Sequence, residues 1–144
     1  MSFIPAGEIL GENSLVRSLT LSGHPVLPEG TYGLIDAYCT DPGCDCRKVM
    51  ILVHLNERHV STINYGWESE AFYRAWYGSP LDAQTLSEMQ GPSIDIGSPN
   101  LVQPKAMLAF FIKLLDQRYR EHFRDQYTRF RAAVATRPEV KLPY

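Results

Sequence analysis

Residues 32–65 read YGLIDAYC, TDPG, CDCRK, VMILVHL, NER, H and VSTINY in succession, and their reading decides the fold. Tyr32 to Cys39 is rich in β-forming residues and stops at Thr40-Asp41-Pro42-Gly43, a turn sequence in which Pro and Gly supply the required backbone angles. Val49 to Leu55 is a second apolar run, Asn56-Glu57-Arg58 a short polar turn, and Val60 to Tyr65 alternates apolar and polar residues. Three strands joined by short turns make an antiparallel meander.

On the N-terminal side, Leu15, Leu19 and Leu21 recur at even spacing and predict a strand over 15–21. Residues 1–14 read as irregular, and Gly23 to Gly30, with Pro25 and Pro28, as a loop. On the C-terminal side, the pairs Phe72/Trp76 and Tyr73/Tyr77 sit four apart and predict a short helix over 70–77, ended by Gly78-Ser79-Pro80. Residues 81–102 read mostly as loop, with a helical turn near Ala83 to Met89.

The remainder predicts helices. Pro104 suits a first helical position, and Met107, Phe111 and Leu114 form a stripe beside Leu108, Ile112 and Leu115. Asp116 is placed to cap a second helix, in which Tyr119, Phe123, Tyr127, Phe130 and Val134 recur every three or four positions, with Pro138 as its stop. The expected fold class is therefore α+β, an antiparallel β-meander packed against C-terminal amphipathic helices. One domain is expected over 1–144, with 15–67 mainly β, 70–77 a short helix and 103–136 helical. A chain of 144 residues is close to the usual size of one domain and buries roughly 68–70% of its unfolded surface, so it builds a core without needing staples merely to fold.

All three cysteines nevertheless fall within one short stretch, Cys39-Thr-Asp-Pro-Gly-Cys44-Asp-Cys46, at the mouth of the first hairpin. Cys39 ends one strand, the Pro-Gly turn reverses the chain, and Cys44 and Cys46 open the next strand. Thiolates so placed converge on one point, and zinc takes such soft ligands in a tetrahedron at about 2.3 Å. Cys39, Cys44 and Cys46 are the expected ligands of one zinc ion. The rival reading is a set of inert or redox-active thiols. A structural zinc has four ligands. His54 and His59 lie at the far end of the hairpin, roughly 26 Å away at about 3.3 Å per strand residue. The fourth position is left open among Asp41, Asp45, Glu68, Glu70, His24, His122 and water, the last being the mark of a catalytic zinc. Asp45 and Arg47 flank Cys46 and read either as groups that orient the thiolates or as a solvated ion pair.

Composition bounds the function. The formal charge of −2 argues against a general nucleic-acid binder, although residues 116–137 hold six arginines (118, 120, 124, 129, 131 and 137) against three acids, leaving −5 on the rest. No apolar run is long enough to cross a membrane and the N-terminal residues lack a secretory pattern, so a cytoplasmic location with reduced thiols is expected. There is no Gly-rich phosphate loop, no H-E-x-x-H and no G-x-S-x-G. Phe72, Tyr73, Trp76 and Tyr77 are expected to pack in the core rather than form a binding platform.

The stretch from Tyr38 through Cys39, Cys44, Asp45, Cys46 and Arg47 to Val49 resembles an uncharacterised bacterial Cys-rich domain marked by Y-C-x-x-P-x-C-D-C-R-x-V, sometimes found in proteins carrying a SEC-C type zinc motif. The segment from Pro99 through Ala133 is similar too: a helix rich in leucine and phenylalanine, then Asp-x-x-Tyr-Arg and Tyr-x-x-Phe-Arg. The resemblance covers about two thirds of the chain and implies a metal-binding domain without a known reaction. The paired C-x-C and C-C or H-C of the SEC-C motif itself is absent. Three functions follow as expectations: a zinc-binding domain with a structural or partner-presenting metal, a zinc-dependent enzyme with an open coordination position, and an RNA- or ribosome-associated module using the arginine helix.

Overall fold

The structure, a computed structural model, describes residues 2–11, 16–78 and 80–136. In chain order the elements are β1 (Phe3–Pro5), α1 (Ala6–Leu10), β2 (Arg17–Leu21), β3 (Gly30–Cys39), β4 (Lys48–Leu55), β5 (Arg58–Gly66), α2 (Glu70–Tyr77), α3 (Ala83–Gln90), β6 (Ser93–Ile94), α4 (Pro104–Leu114) and α5 (Gln117–Ala135). The strands form one antiparallel sheet in the order β1-β3-β4-β5-β6, with β2 also on β3. β3, β4 and β5 are the expected meander. In its first hairpin Ala37 lies opposite Met50 and Tyr32 opposite Leu55. Asn56 and Glu57 turn the second hairpin with φ of 49° and 72°, the left-handed pair that a two-residue hairpin needs.

The outer edge of β3 is shared. β2 pairs its first half, with Leu19 opposite Tyr32, and β1 pairs its end, with Phe3 opposite Cys39. The expected strand over 15–21 is thus seen as β2; Leu15 lies outside the described residues. The irregular reading of residues 1–14 is corrected by β1 and α1. Pro5 and Gly7 hide both from propensity rules, and the free half-edge of a ten-residue β3 supplies the pairing.

Alternation along the strands separates two faces. One carries Tyr32, Leu34 and Tyr38 of β3, Val49, Ile51 and Val53 of β4, and Ile63 and Tyr65 of β5, all buried. The helices α4 and α5 lie on it, contributing Met107 and Phe111 from the first, Leu115 just past its end, and Tyr119, Phe123, Tyr127, Phe130 and Val134 from the second, in a single apolar cluster. Each such side chain contributes about 1.5–3 kcal/mol by leaving water. Asp116 caps α5 as expected, its Oδ1 accepting from the Tyr119 amide at 2.8 Å, and Pro104 opens α4. In α4 the buried face ends on Leu115, with Leu114 half-buried and Ile112 exposed. Pro138 and Arg137 lie outside the described residues.

The opposite face is covered only toward the hairpin mouth, where Tyr73 of α2 is fully buried. The approach of Tyr73 requires Gly66: a Cβ there would collide with the Tyr73 hydroxyl. Core packing therefore holds for Tyr73 alone of its aromatic group. Phe72 and Trp76 are half-buried and Tyr77 is 52% exposed. The helical turn expected near Ala83 to Met89 is seen as α3, capped by Asp82 Oδ1 on the Thr85 amide at 2.7 Å, and the loop reading of the rest of 81–102 is corrected only by the short β6. Ser79 lies outside the described residues. Among the described residues no helix is long and apolar enough to cross a membrane.

Candidate metal centre

Cys39 is the last residue of β3. Its odd position turns its side chain away from the helix layer, into the covered part of the second face. Pro42 and Gly43 form the turn, with Gly43 at φ 74° and the Cys44 amide donating to the Asp41 carbonyl at 3.2 Å. The chain does not re-enter the sheet at Cys44 as the sequence suggests. β4 begins at Lys48, and Cys44 to Arg47 is an irregular approach in which Arg47 takes φ 49°. That detour lets both sulfurs of the returning arm reach Cys39. The three Sγ atoms lie within 4.8 Å of one another, with Cys39 and Cys46 fully buried and Cys44 half-buried. A tetrahedral zinc would set the sulfurs about 3.8 Å apart, so the cluster has the dimensions of a metal site, and the three cysteines could hold an ion.

Backbone amides near the cluster act on the sulfurs. The Asp41 amide donates to Cys39 Sγ at 3.4 Å, and the amides of Cys46 and Lys48 act to lower the proton affinity of Cys44 and Cys46 respectively. Amide dipoles near a sulfur favour its thiolate form. Without a cation the sulfurs compete for protons. The Cys46 thiol donates to Cys39 and, helped by the Asp41 amide against burial, brings Cys39 down to about 6. Cys46 is pushed up by that same hydrogen bond and by burial, and Cys44 is raised by burial and by the charge on Cys39. A divalent cation, if held there, would remove the competition by replacing the shared protons.

Two tyrosines from opposite layers hold the returning arm. Tyr73 of α2 donates to the Arg47 carbonyl at 2.7 Å and accepts from the Glu68 amide at 3.4 Å. Tyr127 of α5 donates to Asp45 Oδ1 at 2.9 Å and accepts from the Arg47 amide at 3.5 Å. Burial pushes both phenols above the ordinary tyrosine range, so they stay protonated donors at neutral pH. The Arg47 side chain adds a fork, with Nη1 to Glu68 Oε2 at 2.6 Å and Nη2 to Asp45 Oδ2 at 2.9 Å, and lies 4.6 Å from the centre of the Phe72 ring. These contacts offset the left-handed backbone of Arg47, which costs a non-glycine residue roughly 1–2 kcal/mol. Arg131 of α5 closes the other side by donating to the carbonyls of Cys39 and Asp41 at 2.7 and 3.0 Å.

Of the groups considered for a fourth ligand, none joins the cluster: among the described residues, the thiol, imidazole and carboxylate atoms within 4.8 Å of one another are the three cysteines alone. His24 turns Nδ1 to the amides of Val26 and Leu27, and His122 is 2.6 Å from Asp36. Asp45 and Glu68 pair with Arg47, Asp41 Oδ1 accepts from the Ser2 amide, and Glu70 is exposed at the start of α2. His54 and His59 stack on each other at the far hairpin, out of reach as expected. Asp45 and Arg47 hold the loop rather than touching the sulfurs. Sequence reasoning missed Tyr73 and Tyr127, whose spacing marks only the faces that bury them.

The arginine helix is largely occupied. Arg131 serves the loop, Arg120 donates to the Tyr65 hydroxyl and Arg129 to Gln126, while Arg118 and Arg124 line separate clefts. No family model, curated protein or solved structure matches the chain.

Proposed function

We propose that Cys39, Cys44 and Cys46 hold one zinc ion whose role is structural, locking the ends of β3 and β4 to α2 and α5, as the resemblance to the Cys-rich domain implies. The observation that carries this reading is three sulfurs within 4.8 Å, with the Asp41 amide donating to Cys39 Sγ. Reduced thiolates select zinc over hard cations. The half-buried side of Cys44 leaves room for water in the fourth position. Purified protein is expected to carry one zinc per chain by elemental analysis, with sulfur neighbours near 2.3 Å by X-ray absorption. Protein that folds without stoichiometric metal, or with a disulfide among the three cysteines by mass spectrometry, sinks the reading.

The open position is also what a zinc hydrolase needs, and this is the second reading. The clefts described here are lined by no cysteine, which favours the structural role. The Tyr73→Phe change separates loop support from ligation, because it removes the donor to the Arg47 carbonyl and the acceptor of the Glu68 amide and leaves all three sulfurs in place. It is expected to weaken zinc binding about tenfold or more, as loss of an outer partner of a metal site does, while leaving one zinc per chain at saturation. Competition against a chromogenic chelator measures it, and an unchanged affinity would mean the tyrosine clamp does not act on the metal.

A further inference from the structure

Asp36 sits in the middle of β3 on the face that packs against the helices and is 2% exposed. Burying a carboxylate without partners is costly, and here three donors converge on its Oδ2: Tyr38 Oη at 3.0 Å, Gln126 Nε2 at 2.9 Å and His122 Nε2 at 2.6 Å. A core that wanted only apolar contact would place none of them there. The carboxylate fixes the His122 ring so that Nε2 faces inward, and Nδ1 has no hydrogen bond among the described residues. The His122 side chain is 20% exposed, and it lines a cleft of about 290 Å³ with Val16, Arg17, Asp116, Arg118 and Tyr119.

Two guanidinium groups and one carboxylate line the cleft. Arg17 lies 4.6 Å from the centre of the Tyr119 ring, and neither Arg17 nor Arg118 has a carboxylate partner among the described residues. The one acid in the lining, Asp116, is engaged by the Tyr119 amide. α5, 19 residues long, starts here, and its dipole favours an anion at this end. Beneath it Tyr119, 4% exposed, carries a buried hydroxyl with no hydrogen bond among the described residues.

We propose that this cleft binds the phosphate group of a small molecule, held by Arg17, Arg118 and the Asp36-oriented imidazole of His122. Two guanidinium forks match phosphate oxygens, His122 Nδ1 bonds a further oxygen either by accepting from a phosphate hydroxyl or, once protonated, by donating, and Val16 offers an apolar seat for the carrier. The site is separate from the cysteine cluster: Asp36 and Cys39 are three residues apart on one strand and point to opposite faces.

The test is calorimetric titration of the metal-replete protein with inorganic phosphate, alongside NMR of the histidine rings. Saturable binding with a shift of the His122 ring signals is expected, weakened at least about tenfold in the Arg17→Ala, Arg118→Ala double variant, whose fold is checked by circular dichroism. Arg124→Ala, in the cleft beside Trp67, is expected to change nothing. Absence of saturable binding, binding that leaves the His122 signals unmoved, or binding lost on Arg124→Ala but retained in the double variant overturns the proposal.

Discussion

Replacing Cys46 by serine is expected to strip the metal from the protein and to lower its melting temperature by about 10 °C. The thiol is fully buried. A serine oxygen is shorter, harder and not ionised at neutral pH, so two thiolates would remain where three would hold the proposed ion. A ligand that binds only the folded state at a thousand times its dissociation constant stabilises that state by about 4 kcal/mol, and each kcal/mol moves the midpoint of a domain of this size by roughly 2–4 °C. The core described above persists, so the variant is expected to fold at low temperature with β3 and β4 paired as before. Thermal melts with parallel elemental analysis decide the matter. A variant that keeps one metal per chain, or melts within a degree or two of the parent, contradicts the assignment of Cys46 as a ligand.

The second large effect is expected from Phe123→Ala, by about 3–5 kcal/mol in chemical denaturation. Phe123 is fully buried at the centre of the aromatic layer between sheet and helix. Its ring centre is 4.4 Å from that of Tyr119, 5.7 Å from Tyr65 and 6.5 Å from Trp67, to which it lies nearly parallel. Large rigid neighbours cannot collapse into the space it leaves, so the cavity cost adds to the lost burial. The exposed Tyr77 provides the contrast, since truncating it should stay within about 0.5 kcal/mol. Equal losses at the two positions would refute the placement of the core.

What could be read from the sequence is what is local. The period-two runs gave the meander, the Pro42-Gly43 turn gave the meeting of the cysteines, and the spacing from Tyr119 to Val134 gave the buried face of α5. The left-handed Arg47 was not legible, because it is held by hydroxyls of Tyr73 and Tyr127, 26 and 80 positions away in the chain. The same holds for β1, which exists because β3 outruns β2. Asp36 did leave a signal. It shares the buried parity of Leu34 and Tyr38, and an acid in an apolar stripe demands partners from elsewhere in the chain. His122 and Gln126, four apart on α5, are those partners.

The way β1 and β2 divide one side of β3 has a consequence for behaviour at high concentration. An unpaired strand edge is a template on which another molecule can add itself and start a fibre. Here the strands at the rim are only two, three and five residues long. Past β6, the carbonyls of Thr62 and Val60 on β5 are taken by the amides of Asp95 and Leu101. The long apolar strands therefore offer incoming chains little backbone to pair with, and the protein is built to resist self-templated β-assembly for as long as β1 and β2 stay docked.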